Sequence, residues 1–366
     1  MQTKIRVAIL FGGRSAEHEV SLQSARNVID AIDKEKYEPV LIGIDREGAW
    51  FLNEDSISLL NSDDPRLIAL NKSNNPVSLV PSDRTGVLVD MQGGTPLPAI
   101  DVIFPVLHGP YGEDGSIQGL AKLANVACVG SDILGSAIAM DKDVSKRLLR
   151  DAGIPVARHI CLRRGGLNDA LREQIEQSFG YPVYVKPANM GSSVGVVKVS
   201  AAAELDGAIE SALQYDTKIV VEENIVGREI ECSVLGNDDP VASSVGEIGT
   251  EDGFYSYQKK YIDANSAKLI IPASLEADVL PRVQQTAIDA FRVLESRGMA
   301  RVDMFLTEDG RIYVNEINTI PGFTAISMYP KLWQESGLSY TDLIDRLIQL
   351  ALDEHQQKSR LITTGF

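Results

Sequence analysis

Two carboxylates, Asp303 and Glu316, lie in segments whose apolar and polar residues alternate as in β-strands. The dipeptide Asp309-Gly310, a strong signal for a two-residue turn, separates the segments, so the pattern predicts a β-hairpin. A turn there places Asp303 opposite Glu316 on one face, with Cβ atoms roughly 5 Å apart. Two opposed carboxylates repel each other unless a cation lies between them.

Arg301 and Asn318 form the next opposed pair on the same face of this hairpin. Hard divalent cations take oxygen ligands, so this polar face predicts a site for Mg²⁺ and phosphate. An ordinary solvent-exposed edge hairpin is the alternative, although such a hairpin would more naturally set lysine opposite glutamate. The other face, which we expect to be buried, carries Val302, Met304, Leu306, Tyr313 and Ile317.

The length and charge of the chain limit what it can be. At 366 residues, two or three domains are expected. A net charge of −16 argues against nucleic acid or an anionic membrane as a main partner, so a phosphate ligand must meet a locally basic pocket. No uncharged apolar stretch is long enough to predict a spanning helix. Three separated cysteines in apolar surroundings, Cys128, Cys161 and Cys232, predict reduced core thiols in a cytoplasmic protein.

The first part of the chain reads as a βαβ unit. A buried-type strand at 5–11 is followed by a Gly-Gly turn and a helix, which places a helix N-terminus at the carboxyl edge of a parallel sheet. Glu17 lies in the first turn, where the helix dipole favours a carboxylate, so it could cap the helix or hold a substrate ammonium group. His108 follows a second strand at 101–107 and could be a structural hydrogen-bonding group or a residue near the substrate. Residues 54–98 read as a peripheral hairpin insertion.

The central part of the chain carries candidate phosphate contacts. Lys186 lies on a strand before a glycine-serine loop at 191–195, which lacks the P-loop pattern but can wrap backbone N–H groups around a phosphate. Glu222 ends an apolar strand and could contact a nucleotide or be a solvated strand end. The segment 136–153 predicts one amphipathic helix on which Lys142 would ordinarily be solvated.

A long polar segment, 247–268, predicts a lid loop that carries Lys259, Lys260 and Tyr261. Segments 276–297 and 340–355 have helical apolar spacing and predict packing helices.

Six segments in a fixed order resemble the D-alanine–D-alanine ligase family of the ATP-grasp superfamily: FGGRSAEHEVS, LHGPYGEDG, VKPANMGSSVGV, KKYI, RVDMF and NEINTIPGFT. The resemblance covers essentially the whole chain. It implies an α/β and α+β protein, in which a Rossmann-like N-terminal domain precedes a two-part ATP-grasp fold. The implied domains are a substrate-binding domain at 1–130, a central subdomain at 131–222, and a C-terminal subdomain at 223–366 with the metal site and the lid.

The resemblance also implies an activity, the ATP-dependent joining of two D-alanine molecules through D-alanyl phosphate for peptidoglycan precursor synthesis. ATP would be bound by Lys142, Lys186, Glu222 and, on its ribose, Glu229. Two Mg²⁺ or Mn²⁺ ions would be held by Asp303, Glu316 and Asn318. The family's linked triad would be Glu17, Ser192 and Tyr261, with His108 near the first D-alanine. The oxyanion hole would be formed by Arg301 and the Gly322 N–H. The second D-alanine's carboxylate would be received by Lys260, Ser327 and Met328.

Two other functions are compatible with parts of this pattern. Relatives that accept D-lactate carry phenylalanine or a differently built lid where Tyr261 stands, so Tyr261 favours dipeptide synthesis. A nucleotide-binding regulator without turnover would be expected to lack part of the metal set, yet Asp303, Glu316 and Asn318 are all present. We expect a homodimer that binds no nucleic acid and no membrane.

Overall fold

The computed structural model describes residues 3–53, 59–60, 68–70, 75–82, 86–249 and 268–362. The predicted lid residues Lys259, Lys260 and Tyr261 lie outside this part of the chain. In chain order the strands are β1 (Ile5–Gly12), β2 (Tyr37–Ile44), β3 (Trp50–Asn53), β4 (Leu59–Leu60), β5 (Ala69–Leu70), β6 (Val77–Leu79), β7 (Leu88–Asp90), β8 (Val102–Val106), β9 (Ala127–Cys128), β10 (His159–Arg163), β11 (Val183–Pro187), β12 (Val197–Val199), β13 (Lys218–Glu223), β14 (Arg228–Gly236), β15 (Val241–Gly249), β16 (Lys268–Ile270), β17 (Gly298–Leu306) and β18 (Ile312–Asn318).

The described helices are α1 (His18–Ala31), α2 (Ser116–Leu123), α3 (Ile133–Met140), α4 (Lys142–Asp151), α5 (Asp169–Phe179), α6 (Leu205–Ala212), α7 (Val279–Val293), α8 (Met328–Glu335) and α9 (Tyr340–Ser359). A single 3₁₀ turn precedes α6. None of the helices in these ranges is long and apolar enough to cross a membrane.

The first sheet has the order β3-β2-β1-β8-β9, and its strands are parallel apart from β3. Because β1 and β8 are parallel neighbours, the loops that follow them emerge at the same sheet edge. Helices α1 and α9 share one apolar core with this sheet, so the end of the chain packs against its beginning. The predicted hairpin within 54–98 is confirmed by the pairing of β6 with β7.

The second sheet, β10-β13-β11-β12, is antiparallel and has two unlike faces. One face packs Val183, Val185 and Val221 against α5 and α6. Since side chains alternate along a strand, Lys186 and Glu222 point to the opposite face. A polar face on a central strand of a sheet indicates that something other than a hydrophobic core must cover it.

The third sheet, β16-β15-β14-β17-β18, is also antiparallel and packs one face on α7. The predicted hairpin is formed by β17 and β18, with Asp303 opposite Glu316 and Arg301 opposite Asn318. These pairings are as the sequence predicted.

The turn of this hairpin differs from the prediction. The Thr307 N–H donates to the Arg311 carbonyl at 3.0 Å and the Gly310 N–H to the Thr307 carbonyl at 2.9 Å, which closes a three-residue loop in place of a two-residue one. A β-bulge then leaves Asn315 outside the ladder, because Asp303 pairs with Glu316 and its neighbour with Val314. The loop and the bulge each shift the register by one residue, so that the shifts cancel at the polar pairs.

The bulge also changes which residues are buried near the turn. Val302, Met304, Leu306 and Ile317 are buried as predicted. Tyr313 was predicted on the buried face, and this prediction is wrong: its ring lies half-exposed, and its hydroxyl accepts a hydrogen bond from Arg311 at 2.7 Å. Because an extra residue on one strand inverts the alternation beyond it, Val314 takes the buried position.

Two further predictions are corrected by the structure. The single helix expected at 136–153 is divided into α3 and α4, because the Asp141 side chain accepts hydrogen bonds from the Asp143 and Val144 N–H groups and caps α4. Cys161 was expected in a core, but it is exposed on β10, whereas Cys128 is half-buried and Cys232 is buried. All three thiols are free, as expected.

Candidate active site

A cleft of about 310 Å³ lies between the polar faces of the second and third sheets. The volume is in the range of small-molecule sites in proteins. The second sheet contributes Lys186 and Glu222, the helix α4 contributes Lys142, and the hairpin contributes Asp303 and Glu316. The cleft therefore collects basic and acidic residues that are far apart in the sequence. Glu229 on β14 also lines it.

Glu222 is the centre of a buried charge cluster. Its side chain is 2% exposed, and one carboxylate oxygen accepts a hydrogen bond from Lys186 Nζ at 2.6 Å. The other oxygen lies 3.4 Å from Lys146 Nζ. The alternative interpretation of Glu222 as a solvated strand end is therefore excluded.

The pKa of each group in this cluster depends on its burial and on the neighbouring charges. Burial alone would raise the pKa of Glu222, but Lys146 and Lys186 outweigh it and lower the pKa to about 2. Burial acts in the opposite direction on Lys186, where the Glu222 charge prevails and raises the pKa above the ordinary value. At Lys146 burial prevails and lowers the pKa. The cluster thus keeps Glu222 ionised and Lys186 protonated at neutral pH.

Lys146 and Asn315 belong to this cluster and were missed by the sequence analysis. Lys146 is 1% exposed and donates to the Asn315 carbonyl at 3.0 Å, while the Asn315 side-chain oxygen lies 3.4 Å from Lys186 Nζ. The signal available in the sequence was the spacing of Lys142 and Lys146 by four residues, which places both on one helix face. The bulge at Asn315 had no signal, because it compensates a turn whose type was predicted differently.

Lys142 lies at the mouth of the cleft and is buried, contrary to the expectation of a solvated lysine. As the first residue of α4 it donates to the Met190 carbonyl at 2.7 Å and lies 3.5 Å from Glu316. Met190 directly precedes the glycine-serine loop, so Lys142 connects that loop to the hairpin. A cation here, next to Lys186, is suited to binding a polyphosphate.

The hairpin side of the cleft is organised around Asp303. Arg301 donates to both oxygens of Asp303, from Nε and Nη2, at 2.7 Å each, and the Asn318 amide donates to the same carboxylate at 3.0 Å. A carboxylate has about four acceptor positions, so three are used by these two residues. One position remains, which allows Asp303 to be a monodentate metal ligand.

The donor set at this end of the cleft fits a hard divalent cation. Asp303, Glu316 and the side-chain oxygen of Asn318 supply two carboxylates and an amide oxygen, the ligand types that Mg²⁺ prefers. No cluster of three or more His, Cys, Asp or Glu side chains that could hold a metal occurs within the described ranges. A site here would therefore depend on the amide and on phosphate or water oxygens.

The glycine-serine loop approaches the first sheet at Glu17. The Ser192 hydroxyl donates a hydrogen bond to a Glu17 carboxylate oxygen. Glu17 precedes α1, but its side chain makes no capping hydrogen bond, so the capping role considered for it is not observed. A Cβ on Gly191 would lie 2.8 Å from the Glu17 carboxylate and one on Gly109 3.1 Å from it. The two glycines therefore leave the carboxylate closely enclosed between two loops, where a larger residue would force it to move.

His108 connects the first sheet to the Pro-Gly turn at 321–322. Its Nδ1 lies 3.0 Å from the Ile320 carbonyl and its Nε2 3.2 Å from the Ser24 hydroxyl. Since a carbonyl only accepts, Nδ1 carries a proton, and burial lowers the pKa of His108 below its ordinary value, which favours the neutral ring at pH 7. The Ser24 hydroxyl in turn accepts from the Phe323 N–H at 3.1 Å. His108 therefore fixes the loop that carries Gly322.

Gly322, Ser327 and Met328 lie where α8 begins. The Ser327 hydroxyl accepts from the Thr324 N–H at 2.9 Å, and a Cβ on Gly322 would lie 2.7 Å from the same hydroxyl. A side chain at position 322 would therefore displace Ser327. Met328 is the first residue of α8, so that Ser327 and Met328 stand at a helix N-terminus, an arrangement that favours a carboxylate ligand.

Glu113 is a buried carboxyl group that the sequence analysis missed. It accepts hydrogen bonds from the Gly109 N–H at 2.8 Å and the Ile320 N–H at 3.0 Å, and so joins the loop after β8 to the end of β18. Burial, with a contribution from the Glu17 charge, raises the pKa of Glu113 to about 8. The same segment, HGPYGEDG, was noted for His108, but nothing in its pattern distinguishes Glu113 from a solvated loop carboxylate.

The raised pKa predicts a pH-dependent stability. Between the ordinary value of 4.5 and about 8, folded Glu113 holds a proton that the unfolded chain has released. Its contribution to stability is complete below that window and is lost as the pH rises through 8. From pH 5 to 8 we expect the unfolding free energy of the wild type to fall relative to Glu113→Gln, by at least about 2 kcal/mol. Urea denaturation at several pH values measures this, with exposed Glu335→Gln as the control; parallel profiles for all three proteins would contradict it.

Two antiparallel sheets that enclose a cleft with lysines on one sheet and an acidic hairpin on the other define the class: the protein has the ATP-grasp fold. Solved structures agree. The D-alanine-D-alanine ligase from Coxiella burnetii matches with a TM-score of 0.83 and 36% identity over 98% of this chain and 96% of that one. The VanG D-Ala:D-Ser ligase from Enterococcus faecalis matches with a TM-score of 0.84 and 39% identity over 95% of this chain and 100% of that one.

Sequence comparison gives the family. The models for the D-ala D-ala ligase N-terminus and C-terminus match residues 6–131 and 148–349. The D-alanine–D-alanine ligase of Shouchella clausii is 54% identical over 363 residues, and D-alanine–D-alanine ligase A of Escherichia coli strain K12 is 53% identical over 361 residues, each with 99% coverage of both chains. The chain belongs to the D-alanine–D-alanine ligase family.

Proposed function

We propose that this protein joins two D-alanine molecules into D-alanyl-D-alanine, with cleavage of ATP to ADP and phosphate, for peptidoglycan precursor synthesis in the cytoplasm. The observation that carries the proposal is the cleft in which Lys142 and Lys186 face Asp303 and Glu316. The full-length likeness to D-alanine–D-alanine ligases supports it. We also propose the domain division 1–130, 131–222 and 223–366 and a homodimeric assembly.

The chemistry explains why these residues are needed. A carboxylate is a poor electrophile for an amine, so the first D-alanine must be activated as an acyl phosphate. Phosphoryl transfer depends mainly on positioning and on neutralisation of charge. Lys142 and Lys186 supply positive charge to the phosphates, and Glu222 and Lys146 hold Lys186 in place. Glu229 on β14 is proposed to bind the ribose.

Two divalent ions, Mg²⁺ or Mn²⁺, would be held by Asp303, Glu316 and Asn318, and would supply further neutralisation of the phosphate oxygens. The chain's own residues then handle the second step. Attack by the second amine gives a tetrahedral intermediate, whose oxyanion we assign to Arg301 and the Gly322 N–H. The second carboxylate is assigned to the N-terminus of α8 at Ser327 and Met328 and to Lys260.

The proposed function is tested by the release of phosphate from ATP in the presence of Mg²⁺, with products identified by mass. We expect release with D-alanine, giving its dipeptide, and none with L-alanine. D-Lactate or D-serine added beside D-alanine tests the acceptor, since a structurally similar protein is a D-Ala:D-Ser ligase. A mixed product formed in preference to D-alanyl-D-alanine would overturn the assignment of D-alanine as the acceptor. Absence of phosphate release with all of these substrates would overturn the proposed ligase reaction.

Glu17 is proposed to bind the ammonium group of the first D-alanine, with Ser192 and Tyr261 completing the triad. Glu17→Gln should then raise the KM for D-alanine at the first subsite by about 10- to 100-fold, the scale of a lost charged hydrogen bond, without changing ATP affinity. Steady-state kinetics and nucleotide titration measure the two effects. Glu19→Gln is the matched control, because Glu19 lies in the same helical turn but pairs with exposed Arg46. Equal KM values for both variants would contradict the role of Glu17.

A further inference from the structure

A buried carboxylate to which no role has been assigned above, Glu231, contacts the proposed oxyanion-binding arginine. Glu231 lies on β14 directly opposite Asp303 on β17, and its side chain is 8% exposed. One of its oxygens is 3.0 Å from Arg301 Nε, the same nitrogen that donates to Asp303 at 2.7 Å. Arg301 therefore lies between two carboxylates, one on its own strand and one on the neighbouring strand.

The two carboxylates have different environments. Asp303 accepts hydrogen bonds from Arg301 and Asn318 and belongs to the proposed metal-binding set. Its negative charge is therefore shared among several partners. Glu231 contacts Arg301 Nε from the neighbouring strand at 3.0 Å and is not one of the residues proposed to hold a metal. A charge shared with a divalent cation attracts a guanidinium less strongly. Because Glu231 lies outside the proposed metal-binding set, its attraction for Arg301 adds to that of Asp303.

We propose that Glu231 is a positioning residue that holds the Arg301 guanidinium toward the oxyanion of the tetrahedral intermediate. The inference rests on the proposed ligase function. Nε and Nη2 form the edge of the guanidinium that faces Asp303, and the fork is rigid and planar, so fixing this edge fixes the direction of Nη1 as well. Glu231 acts through Arg301 and touches no reacting atom in this proposal.

Removal of the Glu231 charge should affect turnover more than binding. For Glu231→Gln we expect kcat to fall about tenfold, the scale of one charge-assisted contact, with the KM values for ATP and D-alanine within twofold of wild type. Glu231 also lines the nucleotide cleft, so direct nucleotide contact is the competing role. That role would raise the dissociation constant for Mg²⁺-ADP, measured by calorimetry, and this result would overturn the positioning role.

A double-mutant cycle with Arg301→Ala tests whether Glu231 acts through Arg301. If it does, Glu231→Gln lowers kcat in the wild-type background but causes no further loss in the Arg301→Ala background. Independent action would multiply the two losses and would overturn the proposal. Glu231→Asp keeps the charge but withdraws it by one methylene, and its kcat should lie between those of wild type and Glu231→Gln; this variant carries the cycle if the glutamine variant does not fold.

The matched control is Asp206→Asn. Asp206 receives the same two-pronged contact from an arginine, with Arg172 Nε and Nη2 at 3.0 and 2.9 Å, but on the exposed surface. Its kcat should equal that of the wild type. The wild type is assayed first: absent dipeptide synthesis there would mean that the proposed function fails, whereas an active wild type with an unchanged Glu231→Gln variant would overturn the role of Glu231 alone.

Discussion

Arg301→Ala is expected to lower kcat by about 10² to 10³, the usual cost of removing one preorganised donor from an oxyanion site. Arg301 is held by two hydrogen bonds to Asp303 and an ion pair with Glu231, so its guanidinium is already oriented before the reaction. Because an oxyanion develops in the transition state and not in the bound substrates, the loss should appear in kcat, with KM values little changed.

The measurement is steady-state kinetics with wild type, Arg301→Ala and Arg301→Lys. The lysine variant keeps the charge but loses the planar fork, so its kcat should lie between the other two. Removal of Arg301 leaves the Asp303 and Glu231 carboxylates opposed, and thermal unfolding of each variant separates loss of fold from loss of catalysis. Arg172→Ala, which removes a surface arginine with a similar carboxylate contact, is the control. A kcat near the wild-type value in folded Arg301→Ala would exclude the oxyanion role.

Of the substitutions considered, Glu222→Ala is expected to reduce stability most, by about 3 to 5 kcal/mol in the free energy of unfolding. The substitution leaves the protonated Lys186 and the buried Lys146 without their carboxylate. Burial of an unpaired charge costs far more than a surface ion pair contributes. Equilibrium unfolding in urea, followed for wild type and variant at neutral pH, measures the difference.

Glu223→Gln is a matched control for this prediction, because the next residue pairs with largely exposed Arg158 and should cost no more than about 1 kcal/mol. The pH dependence gives a second test. The pKa of Glu222 in the folded protein is about 2, below its ordinary value of 4.5. The contribution of Glu222 to the free energy of unfolding is therefore present above pH 4.5 and is lost as the pH falls toward 2. Equal destabilisation by the two variants would show that the lysines do not depend on Glu222.

The sequence alone determined the polar face of the β17–β18 hairpin, since alternation and turn chemistry are local properties. Asp303, Glu316, Arg301 and Asn318 were placed in the correct pairs from these signals. The two-residue turn was wrong, and the pairs are correct because the bulge at Asn315 compensates the longer loop. The buried face beyond the bulge was consequently predicted in the wrong alternation at Tyr313.

The order of the motifs along the chain also predicted much of the function. A resemblance spread over the whole chain identified the family that the comparisons confirm. Motif recognition reads residue types, and these were sufficient to predict Lys142, Lys186 and Glu222 as one group. The role of Tyr261 and Lys260 remains a prediction, as both lie outside the described residues.

Only the tertiary structure decided which charges are buried together. Glu113 and Glu231 have no local pattern that separates them from solvated residues, and Lys146 has only its spacing from Lys142. Each of the three nevertheless lies against a partner far away in the sequence. Burial and pairing are properties of packed sheets and helices, and they set the pKa of Glu113 and Glu222 in opposite directions. The sequence thus determined the local chemistry of each segment. The desolvation and long-range contacts that tune this chemistry arise when the three sheets pack around the cleft.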